Sequence, residues 1–416
     1  MTLDMTSFDA ALKEHYTADR VENLVYKDNP LWALMPKYED FRGKNLPVPL
    51  VHGNPQGRSK TFSNAQTRST SSNSQIKDFV MTRVKDYAIA TIDNETLEAS
   101  KGNSNAFMEA ATTEIDGAIN SLTRSLAVNQ YRDSSGYIGQ VSVEPTEAVT
   151  TTLTMKSLGD ISNVEIDQII EIYSAKSGGS VRTVDGTLAE GVVTEVDRDA
   201  GTFVLGITAT GGDMDYTSSG DIAADDFVFI QGDRGLGLAG LEDWLPTTAP
   251  TSGDSHFGVD RSADTQRLAG VRYDGSGDPI EEALIEGASR IARHGGKPDH
   301  AFVSYTKYSE LEKSLGSKVQ YVDLKVNAEV GFRGILVNGP RGPIKVIPDQ
   351  NCPDDKCFML TLSTWKCGSI GKAVRIVDSD GLKLLRQTSA DGVEFRAAFY
   401  GNIWCKAPGY NGVITL

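Results

Sequence analysis

The chain has 416 residues, 39% hydrophobic and 23% charged, with a formal net charge of -15. That composition is of a soluble globular class and excludes disordered and collagen-like chains, while the length predicts two or three packed units. No stretch approaches the roughly 18 continuous apolar residues of a membrane span, the N-terminal MTLDMTSFDAALKEHYTADR has no secretory or transit character, and the acidity argues against a whole-surface grip on nucleic acid.

The charge is segmented along the chain. Residues 52–85 carry six Lys or Arg against Asp78 alone, a balance of +5, and residues 141–235 carry seventeen Asp or Glu against five Lys or Arg, a balance of -12. A small-molecule enzyme has no particular reason to be divided in this way.

In chain order, residues 1–45 open with a short helical pattern and continue as DNPLWALMPKYEDFRGKN, where Pro30 and Pro36 bracket Leu31, Trp32, Leu34 and Met35. The prolines forbid a long helix, so this segment is predicted to be an arm with apolar anchors pinned against something else. Residues 46–90 open extended, cross a Gly, Ser and Asn rich middle, and return through Phe79, Met81, Tyr87 and Ile89, as a long hairpin does. Its middle, Asn64 to Ser74, has almost nothing to bury and cannot carry a core. From about Ser104 to Tyr131, Phe107, Ala111, Ile115, Ala118, Ile119, Leu122 and Leu126 recur at helical spacing and predict one long helix.

Residues 141–235 change texture to short runs such as QIIEIYS, GVVTEVD, TFVLGIT and DFVFIQG between Gly and Asp turns, the pattern of an inserted small barrel or sandwich. From 236 to about 375 helix and strand alternate. Asp278 is expected to cap a helix bearing Ile280, Leu284, Ala288 and Ile291, stopped by Gly295 and Gly296; HAFVSYT reads as a strand, KYSELEKSLG as a helix and ILVNGPRGPIKVIP as a hairpin. Residues 376–416 are mainly strands.

Catalytic signals are weak. GLGLAG, with Gly235, Gly237 and Gly240, fits GxGxxG, but Pro246 limits any following helix to about one turn, so a flexible domain junction is expected in place of a cofactor loop. His15, His52, His256, His294 and His300 show no ligand spacing, and His294 and His300 are expected in a water-exposed turn. There is no GxSxG. The acidic pairs Asp225 with Asp226 and Asp354 with Asp355 are expected to be solvated, and Cys352, Cys357, Cys367 and Cys405 to be buried reduced thiols, not zinc ligands. No enzyme activity, cofactor or metal is expected.

The segment DNPLWALMPKYEDFRGKNLPVPLVHGNPQGRS, followed in order by loop, long helix and α/β region, resembles the major capsid proteins of tailed bacteriophages with the Hong Kong 97 type fold. The resemblance implies an α+β chain: arm to residue 45, extended loop 46–90, peripheral domain with a spine helix 91–140, inserted β-domain 141–235, axial α/β domain 236–375, and terminal strands 376–416 returning to the peripheral domain. It implies hexamers and pentamers in an icosahedral shell around double-stranded DNA held without sequence specificity, a portal protein, a possible decoration protein and, since no long charged helical segment precedes the arm, a separate scaffolding protein. The location implied is the virion capsid, after synthesis in the host cytoplasm, with no membrane involved. An encapsulin-like compartment shell is the alternative use of the fold.

An arm with anchors and a hairpin without a core need neighbours, which marks Leu31, Trp32, Leu34, Met35, Arg58, Lys60, Arg68, Lys77, Arg83 and Lys85 as candidate inter-subunit contacts, the basic ones against acidic surface. No motif singles out a cross-linking lysine, Lys60 and Lys77 included, so a non-covalent shell is expected. The acidic insert is expected to face outward, away from packaged phosphates.

Overall fold

The computed structural model describes residues 29–71, 73–93, 104–145, 151–184, 187–207, 222–316, 321–325, 331–377, 384–387 and 391–416. The helical pattern expected before Asn29 and the side chains of Phe107 and Ala111 lie outside the described set.

Proline at the first helical position and a second proline six residues later confine the arm to a short helix, Pro30–Leu34. The predicted long helix spans Ser104–Tyr131, 28 residues or about 42 Å at ~1.5 Å per residue. Ile115, Ile119, Leu122 and Leu126 form its buried stripe, each contributing roughly 2 kcal/mol by leaving water.

The stripe packs on a six-stranded sheet centred on the 14-residue strand Gly392–Cys405. Val84–Asp93 runs antiparallel along one side of that strand; Leu384–Arg386, Arg375–Ile376 and Trp365–Ser369 pair with the other, and Lys37–Tyr38 adds parallel to the last. Period-two alternation sends Val393, Phe395, Ala397 and Phe399 into the same core as the helix stripe.

A second sheet has seven strands in the order Val271–Asp274, Gly412–Thr415, Lys356–Leu360, His300–Val303, Gly342–Pro348, Gly331–Gly339, Tyr321–Lys325. Both faces are covered, and adjacent residues divide between two cores. Phe302, Ile347, Phe358 and Val413 join the core of the first sheet, whereas Ala301, Val303, Val346, Met359 and Ile414 pack under helices Ile280–Arg293 and Tyr305–Leu315. Ser304 caps the latter helix, its hydroxyl accepting the Lys307 amide at 3.3 Å. Asp278 does not cap the former: its carboxylate takes the Tyr273 hydroxyl, and Pro279 occupies the cap position.

The chain crosses between these sheets more often than the expected division at residue 375 allows. Trp365–Ser369 belongs to the first sheet, and Gly412–Thr415 enters the second, between Lys356–Leu360 and Val271–Asp274. Fully buried Asn411 holds the return: its side-chain oxygen accepts from Thr361 N at 2.7 Å and Trp365 Nε1 at 3.0 Å, and its amide donates to Ala407 O at 2.8 Å. A single apolar residue there would leave those buried donors unpaired.

A third sheet contains the strands Tyr137–Gln140, Phe227–Ile230, Ile169–Tyr173, Glu190–Asp197, Thr202–Ile207 and Thr151–Thr154, all antiparallel. Its two edges meet, with Ser142 N donating to Thr154 O and Lys156 N to Gln140 O, both at 2.8 Å, so the sheet closes as a small barrel. Leu153, Ile170, Ile172, Val193, Phe203, Leu205 and Val228 fill a core separate from the other two.

Candidate assembly surfaces

The long hairpin pairs Asn45–Gly53 with Gln75–Thr82. Its two faces differ. Leu46, Val48 and Leu50 align with Met81, Phe79 and Lys77 on the inner face, where Phe79 meets Trp244 at 5.1 Å between ring centroids and the base joins the largest core. The outer face carries Pro47, Pro49 and Val51 against Val80, Asp78 and Ile76; Val51 is 60% and Ile76 55% exposed, and they pair directly across the strands. Beyond them the polar middle folds as a helix, Phe62–Ser71, with no buried residue and Phe62 84% exposed. The core-less middle predicted is therefore a helix that buries no residue and leans on the hairpin's own end, where a Cβ on Gly57 would lie 3.0 Å from Ser69 Cβ.

The expected contact residues separate into two groups. Leu31, Trp32 and Met35 are buried in the chain's own core, Trp32 edge-on to Phe399 at 5.7 Å, and Leu34 packs partly buried beside them; this corrects the expectation that they anchor a neighbour. Burial of the indole inside the subunit leaves no apolar surface to share. Arg83 is likewise spent internally, donating to Phe41 O at 2.9 Å and lying over the Phe41 ring. Arg58, Lys60, Arg68, Lys77 and Lys85 are exposed, with Arg68 also donating to Arg58 O at 3.0 Å.

A buried ionic junction ties the barrel to the rest, and no sequence spacing announced it. Arg132, just past the end of the long helix, pairs with Asp160 of the barrel and lies 3.9 Å from Glu242. Glu242 also accepts from Lys356 Nζ and from the Tyr137 hydroxyl, each at 2.7 Å, while Lys176 bridges Asp133 at 2.6 Å and Glu242 at 3.4 Å. Three cations from three parts of the chain meet Asp133, Asp160 and Glu242, and Lys356 also lies 3.7 Å from the exposed Asp355, so no cation of the cluster is left unmatched. Burial pushes the Glu242 carboxyl up, but Lys356, Arg132 and Lys176 together outweigh it and hold the group at about 2. For Asp160 burial wins over Arg132, and its carboxyl rises to about 6.

The remaining candidate chemistry resolves into packing. At Gly240 a Cβ would overlap the carbonyl oxygens of Asn129, Gln130 and Arg132, and at Gly237 it would lie 2.6 Å from Gly136 N. The glycine run thus seats the chain against the end of the long helix. Leu238 and Ala239 are buried, so the junction is tightly packed and not flexible, and only Leu241–Trp244 follows as a helix. Asp226 is buried and gripped by Arg182 through two 2.8 Å hydrogen bonds, contrary to the solvated pair expected. His294 is exposed as expected, but His300 is buried at the start of its strand. All four cysteines are free and buried, and burial lifts the Cys405 thiol to about 12. Among the described residues no group of three or more His, Cys, Asp or Glu could hold a metal ion, and no helix is long and apolar enough to cross a membrane.

No family model matches the chain, and no curated protein matches it. Among solved structures it is similar to the Cyanophage A-1(L) capsid asymmetric unit, at 10% identity over 96% of this chain and 94% of that one with a TM-score of 0.48. It is similar to the holo-SrpI encapsulin complex from Synechococcus elongatus PCC 7942, at 8% identity over 100% and 96% with a TM-score of 0.43. It is also similar to the satellite phage P4 procapsid including size determination (Sid) protein, at 10% identity over 99% and 96% with a TM-score of 0.39. Identity at this level leaves the reading of this chain to its own residues.

Proposed function

We propose that this chain is a major capsid protein: a subunit that assembles with copies of itself into the icosahedral shell of a tailed bacteriophage. One observation carries the reading. The hairpin leaves the body with an apolar outer face and, at its end, a helix that buries no residue, an arrangement that gains stability against other copies. In this reading Asn45–Thr82 is the extended loop, the sheet around Gly392–Cys405 with the helix Ser104–Tyr131 is the peripheral domain, and the seven-stranded sheet with its two helices is the axial domain. The closed barrel is the insert, and its acidic balance favours the outer surface, away from packaged phosphates.

The partners that follow are hexamers and pentamers of the chain itself, a separate scaffolding protein, a portal protein, a possible decoration protein, and double-stranded DNA within. The chain acts as structure and not as a catalyst. Replacing residues 54–74 with a two-residue Asn-Gly turn tests the reading, because none of the described residues removed is buried. The expected product is a folded subunit that forms no particles; particles in undiminished yield would overturn it.

A further inference from the structure

Two exposed apolar patches on this chain carry rims of opposite charge. The first is the outer face of the hairpin and its end, with Val51, Ile76 and Phe62 exposed and the exposed Arg58, Lys60 and Arg68 around them. The second lies at one end of the barrel, where Leu158 is 56% and Ile166 58% exposed. The turn from Arg198 to Gly201 brings these two together: a Cβ on Gly201 would lie 2.9 Å from the Leu158 side chain, and Arg198 pairs with Glu165, next to Ile166, at 2.8 Å. Asp167 N donates to Val193 O at 2.9 Å, which holds Ile166 beside the strand Glu190–Asp197. Around them Glu165, Asp167, Glu195, Asp197 and Asp199 are exposed, against Arg124 and Arg198, both of which are shared with Glu165.

An apolar centre inside a charged rim is the build of a protein contact, and opposite rims steer the right pair together while like rims keep wrong pairs apart. Among the described residues neither patch is covered, and their opposite rims make a second copy the complement. Two different patches make a head-to-tail contact, which propagates into rings and closed lattices where a two-fold contact would stop at a dimer.

We propose that the hairpin of one copy docks its Val51 and Ile76 face and its basic end on Leu158 and Ile166 of the barrel of a second copy. This deepens the shell reading by naming the surface that receives the hairpin. A chain with Ile76→Cys and Ile166→Cys, treated with a short bis-maleimide cross-linker, tests it; the four native cysteines are buried and leave the two new thiols as the reactive ones. The double variant is expected to give a ladder of covalent multimers, and each single variant none. A double variant that stays monomeric, or stops at the dimers of either single variant, overturns the contact.

Adding R58E and K60E is expected to reduce the ladder about tenfold, and adding E195K and D199K to that chain to restore it; a ladder indifferent to the first pair, or not restored by the second, overturns the electrostatic match. Particles without a ladder would remove this contact and leave the shell reading, whereas a ladder from copies that never close into particles would remove the shell reading and leave the contact.

Discussion

Glu242→Gln removes the one buried anion that Arg132, Lys176 and Lys356 share. Glu242 is held at about 2 from its ordinary value of 4.5, burial being outweighed by Lys356, Arg132 and Lys176. At ~1.4 kcal/mol per unit that shift corresponds to roughly 3 kcal/mol, so a loss of about 3 kcal/mol is expected at pH 7. The folded value lies below the unfolded one, so this stabilisation is present above pH 4.5 and is lost as pH falls toward 2. Asp160 acts in the opposite direction. Burial raises it from 3.8 to about 6, so its contribution is present below pH 3.8 and lost as pH rises through 6. From these two groups the unassembled subunit is therefore expected to be most stable near pH 4, where the two windows overlap. Denaturant unfolding at pH 7, 4 and 3, followed by tryptophan fluorescence, measures this, since all four tryptophans lie in the largest core. Glu165→Gln is the control, its pairs with Arg124 and Arg198 being about half exposed, and should cost less than about 1 kcal/mol. A Glu242 variant within about 1 kcal/mol of the unmodified chain at pH 7, or one whose deficit does not shrink by pH 3, would refute the reasoning.

Gly240→Ala should destabilise the subunit by more than about 2 kcal/mol, because three carbonyl oxygens at the end of the long helix occupy the new methyl's space; an unchanged denaturation midpoint would contradict this. Phe203→Ala should cost about 3 to 5 kcal/mol within the barrel and leave tryptophan fluorescence unmoved, since residues 137–230 contain no tryptophan; circular dichroism beside fluorescence separates the two transitions. The buried thiols should resist a thiol reagent in the folded chain and all four react on unfolding, whereas rapid native labelling of any one would place it at the surface. Particles boiled in detergent should run as monomer, and a ladder of multimers in the absence of cross-linker would overturn a non-covalent shell.

Much of the fold was legible because its signals are local. Helical spacing of Ile115, Ile119, Leu122 and Leu126 marks the long helix to its ends, and turn-separated β runs mark the barrel. What the sequence hides is long-range. Nothing local tells Trp365–Ser369 and Gly412–Thr415 to join different sheets; Asn411 holds that choice through bonds to Thr361, Thr364 and Trp365 that exist only once the chain has crossed. The same limit explains the contact residues. Trp32 between prolines reads alike whether its cover comes from Phe399 of its own chain or from a neighbour. The ionic junction gathers Arg132, Asp160, Lys176, Glu242 and Lys356 from across more than 220 positions, and single charges so far apart carry no pattern until folded.

Electron microscopy of the chain expressed alone and together with its neighbouring genes tests the central claim most directly. Closed icosahedral shells are expected, in which the density of each subunit includes a long helix, a hairpin lying on an adjacent copy and a small barrel at the outer surface. A chain that remains monomeric under both conditions, at concentrations where shells form readily, would contradict it.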